Sequence, residues 1–364
     1  MSQNSTDACV KKLVQNLGMA QAVTRHQLFW EACGYGNWIK VEKLIKSGVD
    51  VNWRSWDSNK SCPIHVASQG KPEVVKLLIE AKCNINVKDE GGKLPIHHAA
   101  MKGHDEIIKM LLDADSEKDC QDNNGWTPLL CAAYWCHLEA VKMLLKNGSD
   151  SNIKNKDERT ALHEACRSRV TEKEEQLSEI VQQLLDAGCD INMKSSSEGE
   201  ADFTPLMFAA YHGHTDTVRV LLNHHECHIN SQGSNGWTAL HWAANRGHDA
   251  IVKLLLDAAA ETNLSGLREE VPFDVAKSDH IKGYLAPYTD GVEFIDGPPS
   301  PWIHRRPEVT TDEYTDSEPD HANEDDDDDD YFYEDEILMN GAGDQAVTPQ
   351  NDSKELIAEL EKKL

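Results

Sequence analysis

The stretch TALHWAANRGH, Thr238 to His248, sets His241 and His248 seven residues apart around a Trp and a pair of alanines. Two imidazoles so placed could ligate a metal or move protons in catalysis. A second cluster, HHECH, crowds His224, His225, Cys227 and His228 together. Zinc would require a further ligand pair at finger-like spacing, and none follows, so HHECH reads as a polar helix end. The chain has no phosphate loop, nucleophile elbow, HExxH, kinase motif set or paired carboxylates on a rigid frame. The motifs therefore point away from an enzyme, and no cofactor or metal is expected.

The elements that must hold these histidines appear when the chain is compared with itself. CPIHVASQGK at 62, LPIHHAAMKGH at 94, TPLLCAAYWCH at 127, TALHEACRSRV at 160 and TPLMFAAYHGH at 204 share the frame of TALHWAANRGH, and a shortened version opens at Val271. The starts are 32, 33, 33, 44, 34 and 33 residues apart. QLFWEACGYGN from Gln27 fits the same register without the Thr, Pro or His, as an end repeat facing water is expected to. His241 shares its slot with His65, His97 and His163, and His248 shares its slot with His104 and His214. A ligand pair would not need copying in every repeat or survive replacement by Leu130 and Met207, so the histidines read as turn and helix-end hydrogen-bonding groups.

Thr127, Thr160, Thr204 and Thr238 each precede an apolar segment, where a hydroxyl can accept an orphan helix amide; Pro suits the first turn. Paired alanines such as Ala99 with Ala100 let neighbouring helices approach, and Gly103, Gly213 and Gly247 end the helix. A second apolar helix follows in each unit, as in IIKMLLDAD and IVKLLLDAA, and then a polar, turn-rich loop such as CQDNNGW.

The period, the T-P-L-H-x-A-A-x-x-G-H opening and the L-L-x-x-G-x-D-x-N close resemble the ankyrin repeat family from Arg25 to Tyr288. The resemblance implies an all-α solenoid of stacked antiparallel helix pairs with projecting β-hairpin loops, binding a protein partner on a concave groove. On that comparison the groove positions after the Ala pair are Ser68 and Gln69, Met101 and Lys102, Tyr134 and Trp135, Arg167 and Ser168, Tyr211 and His212, and Asn245 and Arg246. Tyr134, Trp135 and Tyr211, with Trp126 and Trp237 on the loop tips, are the preferred contacts, because Trp, Tyr and Arg dominate binding hot spots. The alternative is that these aromatics pack on the adjacent repeat. Asn52 and Asn192 match a leucine-to-asparagine pattern that an asparaginyl hydroxylase modifies in similar domains; the reading favoured here is that they bond the loop backbone.

Two departures break the period. The fifth repeat, RSRVTEKEEQLSEIVQQLL, is longer by seven residues between its helices, read either as a recognition loop or as neutral lengthening. In the fourth, Cys136 replaces the helix-ending Gly, as a substituted cap rather than a reactive thiol.

The 364 residues carry 36 Lys and Arg against 63 Asp and Glu, a net charge of −27. This weighs against direct nucleic-acid binding and toward partners with a basic surface. No apolar run approaches a membrane span, the N-terminus lacks a secretory core, and the ten cysteines show no CxxC pair or disulfide framework. The expectation is a cytoplasmic or nuclear protein, monomeric by itself, with no membrane insertion.

Residues 1–24 read as an N-terminal extension forming a partly helical cap, 25–288 as the repeats, 289–350 as a disordered acidic tail and 351–364 as a short amphipathic helix. Between 288 and 346 stand 20 acidic and 2 basic residues. Within them DDDDDDYFYEDEIL embeds Tyr331, Phe332 and Tyr333 among acids, which supports a second function: a chaperone or escort of a basic client such as a histone or ribosomal protein. Thr310, Thr315 and Ser317 each have an acid three residues on, a weak match to acidophilic kinase sites.

Overall fold

The computed structural model describes residues 25–55, 59–170, 173–196 and 202–288. The chain divides into two compact units, Met1–Leu28 with Ser55–Lys60 and Glu308–Leu364, and Phe29–Arg54 with Ser61–Pro307. The second holds the repeats; little of the first lies among the described residues. The N-terminal cap, acidic tail and C-terminal helix expected from the sequence, with Tyr331, Phe332, Tyr333, Thr310, Thr315 and Ser317, all lie outside the described residues.

Among the described residues the regular structure is entirely helical. Helix α1 covers residues 25–35, followed by α2 (Trp38–Lys46), α3 (Pro63–Ala67), α4 (Pro72–Glu80), α5 (Pro95–Met101), α6 (Asp105–Asp113), α7 (Pro128–Tyr134) and α8 (Leu138–Lys146). Then come α9 (Ala161–Arg167), α10 (Glu174–Asp186), α11 (Pro205–His212), α12 (Thr215–Asn223), α13 (Ala239–Arg246), α14 (Asp249–Asp257) and α15 (Asp279–Leu285), which runs into a 3₁₀ turn at Ala286–Tyr288. From α3 to α13 the odd-numbered inner helices pack on one another in sequence, and the even-numbered outer helices do the same from α2 to α14. The alanine pairs at 99–100, 132–133, 209–210 and 243–244 are fully buried, and so are Val75, Ile108, Leu111, Val141, Leu144, Val181, Leu184 and Val252 of the outer row. Small residues bring inner helices together while branched ones fill the layer behind, each buried Leu, Ile or Val contributing about 1.5–3 kcal/mol.

The recurring histidines hold neighbouring repeats in register. Nδ1 of His65, His97, His163 and His241 accepts the N–H of the residue capping its own inner helix, Cys62, Leu94, Thr160 and Thr238, at 2.9–3.1 Å. A backbone amide can only donate, so Nδ1 is bare and Nε2 carries the proton. Nε2 then donates to the loop leading into the next repeat: Val87 O, Trp126 O, Met193 O and Glu270 O at 3.0, 3.0, 2.9 and 3.3 Å. Where Leu130 and Met207 fill the slot, the cap is a different bond, in which the hydroxyls of Thr127 and Thr204 accept the N–H of Leu130 and Met207. The second set of histidines points the other way, with Nε2 of His104, His137, His214 and His248 on the carbonyls of Gln69, Met101, Ser168 and Tyr211.

Glycine is required where these backward-pointing rings arrive. Gly103 and Gly213 have φ of 71° and 85°, and a Cβ there would sit 2.5 Å from His137 and 2.7 Å from His248. Cys136 adopts φ 55° in the same place, buried, and the group facing it is Lys173, whose carbonyl lies 3.8 Å from Sγ. The loss of Gly and the loss of the facing ring therefore go together. All nine described cysteines are free thiols; burial raises the Cys136 thiol pKa, which suits a cap and opposes reactivity.

Asparagines add a third tie. Asn52 Oδ1 accepts the Asn84 N–H at 2.7 Å, and Asn192 accepts from His228 at 2.8 Å while donating to Glu226 O at 2.7 Å. Both side chains thus bond the backbone of the following repeat.

Two features differ from the sequence expectation. No strand forms among the described residues. Each projecting loop closes on itself through two backbone bonds, such as Asp122 N–H to Trp126 O at 2.9 Å and Gly125 N–H to Asp122 O at 3.0 Å, and the next loop contributes a single bond, such as Lys156 N–H to Asn124 O at 3.0 Å. Single bonds at one-period intervals make a row of linked turns, too short for a ladder. The added length of the fifth repeat is only partly a loop, because α10 runs 13 residues against nine in α8.

Replacing His163 with Leu, the size already tolerated at Leu130, strands the Thr160 amide and the Met193 carbonyl. A loss of about 1–3 kcal/mol is expected, read as a lower urea midpoint; an unchanged midpoint would show that the ring is dispensable.

Burial is the main cause that lowers the His65, His97 and His163 pKa to about 4, 3 and 4. In the unfolded chain the same rings titrate near 6.5, so between pH 6.5 and about 4 the unfolded state binds more protons and stability falls with pH. Stability is fully present above pH 6.5, and the loss at pH 5 is on the order of 2 kcal/mol per ring. Urea midpoints measured from pH 7.5 to 5 should decline, and His163→Leu should flatten the slope.

Candidate functional site

Each inner helix presents two kinds of position to the loop beside it. The first alanine recurs in every repeat, as Ala67, Ala99, Ala132, Ala165, Ala209 and Ala243, whereas the residue just before it changes from His98 to Cys131, Glu164, Phe208 and Trp242. This variable residue meets the loop of its own repeat. His98 Nε2 contacts Asp89 Oδ2 at 3.0 Å, the Asn155 amide donates to Glu164 at 3.0 Å, Phe208 packs 5.1 Å from Phe203, and Trp242 packs 4.5 Å from Trp237.

The sequence-nominated aromatics fall into two groups joined by arginine. Trp126 packs edge-on against Tyr134 at 5.7 Å, Tyr134 against Trp135 at 5.3 Å, and the Arg167 guanidinium lies 5.2 Å from the Tyr134 ring centre. On the far side Tyr211 meets His212 at 5.0 Å and Trp242 at 5.3 Å, with Arg246 stacked 4.4 Å over its ring. Because α7, α9, α11 and α13 pack on one another in sequence, these positions form one strip from the fourth repeat to the seventh, and within it the charges of His214, Arg167, Arg169 and Arg246 act on His212. Burial and then these charges hold His212 well below the ordinary imidazole range, so its ring is neutral.

The strip is not uniformly accessible. Trp126 and Arg167 are buried, at 7% and 4% exposure, and so are Ser68 and Ser168. Arg167 reaches Glu164 at 3.3 Å, and that fully buried carboxylate lies 3.7 Å from Arg159, so opposite charges compensate inside the repeat. Trp126 and Arg167 thus act from beneath the surface, supporting Tyr134. Gln69, Met101, Tyr134, Trp135, Tyr211, His212, Trp237 and Asn245 are half-buried, while Lys102 and Arg246 are exposed. The Trp237 indole donates to Glu270 at 2.6 Å, which ties that ring to the next loop.

Three polar ring atoms on the strip are shielded from solvent and lack a hydrogen-bond partner among the described residues: Nε1 of Trp135, Nε2 of His212 and Nε1 of Trp242. Leaving a buried donor unmade costs about 1–3 kcal/mol. Trp242 escaped the sequence reading because only positions after the alanines were considered there. The changing residue type before them, in an otherwise repeated frame, is the signal that could have found it.

No group of three His, Cys, Asp or Glu side chains that could hold a metal occurs among the described residues. In HHECH, His224 and His225 stack on each other at 5.1 Å. No described helix is long and apolar enough to cross a membrane.

The model for ankyrin repeats in three copies matches residues 1–89, 64–155, 96–195 and 170–265. The comparison with curated proteins finds no match. Ankyrin repeats are protein–protein interaction modules, and proteins built on them are typically non-enzymatic scaffolds. With overlapping matches over most of its length and helix pairs locked by histidine, glycine and asparagine at each period, the chain belongs to the ankyrin repeat family.

Proposed function

We propose that this protein is a non-enzymatic scaffold or adaptor that binds a segment of another protein along the strip from Tyr134 to Arg246. What supports this reading most is the run of half-buried aromatic rings, Tyr134, Trp135, Tyr211, His212 and Trp242, at positions that vary in an otherwise repeated frame, with exposed Arg246 stacked over Tyr211. Tyr211, Trp135 and Arg246 are residue types that carry interface energy, and Trp126 and Arg167 preorganise Tyr134 from below. Met101, Lys102 and Asn245 extend the contact on either side.

The acidic segment with Tyr331, Phe332 and Tyr333 supplies the second reading, in which it captures a basic client by charge and aromatic anchoring, or modulates contacts made by the strip. Its 325–330 run of six aspartates is the feature that favours this.

One capture experiment separates the two. Partners retained by the full chain are identified by mass spectrometry beside those retained by a Tyr211→Ala/Arg246→Ala variant and by a chain with residues 325–330 changed to Asn. The strip reading expects the first variant to lose the principal partner and the second to keep it at physiological salt. Retention by the strip variant, with salt-sensitive loss from the Asn variant, would move the function to the acidic segment.

A further inference from the structure

A second surface, independent of the strip, lies at the corner where α1 turns into α2. The large apolar side chains exposed among the described residues are Tyr35, Trp38, Ile39, Leu267 and Tyr288; the first three share this corner, at 82%, 49% and 52% exposure. The open end of a solenoid exposes apolar groups where the missing neighbour would have packed. Two positions rule that explanation out. The place of Lys40 in α2 is taken in later repeats by Val74, Ile107, Ala140, Ile180, Thr217 and Ile251, all buried, so a lysine has already made the end face polar. The place of Ile39 is taken by Glu73, Glu106, Glu139, Glu179 and Asp216, none of them buried. Ile39 is therefore exposed where the repeat frame puts a carboxylate, and α2 has no acid in its first turn, although one there favours the helix dipole.

The same exchange leaves charge unmatched. In α8 and α12 the acid at this place pairs with a cation three residues on, Glu139 with Lys142 and Asp216 with Arg219. In α2 the residue three after Ile39 is Glu42, bonded to Lys46 at 2.6 Å, while exposed Lys43, one turn from Ile39, has no ion pair among the described residues. Lys71 reaches the corner from the next repeat, since a Cβ on Gly36 would sit 2.7 Å from its Cδ, and it too has none. Glu31 and Lys40 are engaged in contacts of their own, and Glu73 stands exposed on the first turn of α4. We infer that this corner docks a segment of a partner protein that seats an apolar side chain on Tyr35, Trp38 and Ile39 and turns a carboxylate toward Lys43 and Lys71. Glu73 sets the direction, keeping the acidic side of the segment over α2 and away from α4. Trp and Tyr are residue types that concentrate binding energy. An anionic bilayer fits less well, because three side chains are a small anchor and a chain of net charge −27 is repelled by such a surface.

The test pans a random twelve-residue peptide library on the full chain and titrates the enriched peptides against it, against Trp38→Asp/Ile39→Glu and against Tyr211→Ala/Arg246→Ala. Asp105 and Glu106 hold the two corner positions in the third repeat, so the corner variant restores the frame and its thermal midpoint is expected to match the parent. Peptides combining Leu, Ile, Phe or Trp with Asp or Glu are expected, binding the corner variant about tenfold more weakly, weakened also by Lys43→Glu and unchanged on the strip variant. Absence of such peptides, equal binding to the corner variant, or enrichment of Lys- and Arg-rich peptides that the corner variant loses overturns the inference. Three further results overturn it by naming another occupant. They are a parent dimer that the corner variant dissolves in sedimentation, binding to phosphatidylserine vesicles that the variant loses, and faster proteolytic cleavage of residues 1–24 in the variant. Peptides lost only from the strip variant overturn the corner and leave the strip reading standing.

Discussion

A neutral imidazole that accepts at one nitrogen and donates at the other is the constraint on which the stack depends. Bare Nδ1 caps its own helix and protonated Nε2 reaches the next loop, so one side chain completes local structure and joins it to its neighbour. Protonation would remove the acceptor, and burial prevents it by making the charged ring costly. Without a distant core, each repeat is stabilised by the repeats beside it, and such junctions fix the register in which alanine rows and leucine layers meet. The second histidine works in reverse, and at Gly70, Gly103 and Gly213 its ring passes too close to the backbone for any side chain. Cys136 illustrates the same rule, since its side chain is accommodated where Lys173 rather than histidine faces it.

That regular frame makes irregularity informative. Once the histidines, glycines and asparagines are assigned to the junctions, the positions that vary from repeat to repeat stand out on the inner face. There the chain places Tyr134, Trp135, Tyr211, His212 and Trp242, and there hydrogen-bonding atoms are left without partners. The junction histidines find internal partners at both ring nitrogens or at Nε2, whereas the strip gathers aromatic rings with no such repeated hydrogen bond. Arg159, Glu164 and Arg167 lie at the boundary between the two regimes, neutralising one another inside the fifth repeat while Arg167 reaches the Tyr134 ring.

Much of the fold was legible in the residues. Thr127 and Thr204 cap helices by the hydroxyl bond expected of them, and Gly213 and Gly247 end helices in the left-handed conformation. The loop turns were legible as turns but not as strandless ones, because the shortage of pairing appears only when adjacent loops are seen to share single bonds. The fifth repeat announced its extra length, while its division between a link and a longer α10 depended on Leu177 finding a buried place in the outer row. Trp126 and Arg167 were legible as hot-spot residue types; their burial was not, because it is produced by groups from neighbouring repeats.

By itself, then, the sequence determined the period, which the repeated frame displays, and the caps and helix ends, which follow from residues within a few positions of one another. Tertiary structure decided which groups meet one period apart or more: His214 on Ser168 across the lengthened repeat, Arg167 against Tyr134, and Trp242 against Tyr211. A repeat motif specifies the shape of its own unit, whereas a site spanning several units depends on the register and spacing of their stacking. Those arise from packing between helices that are distant along the chain.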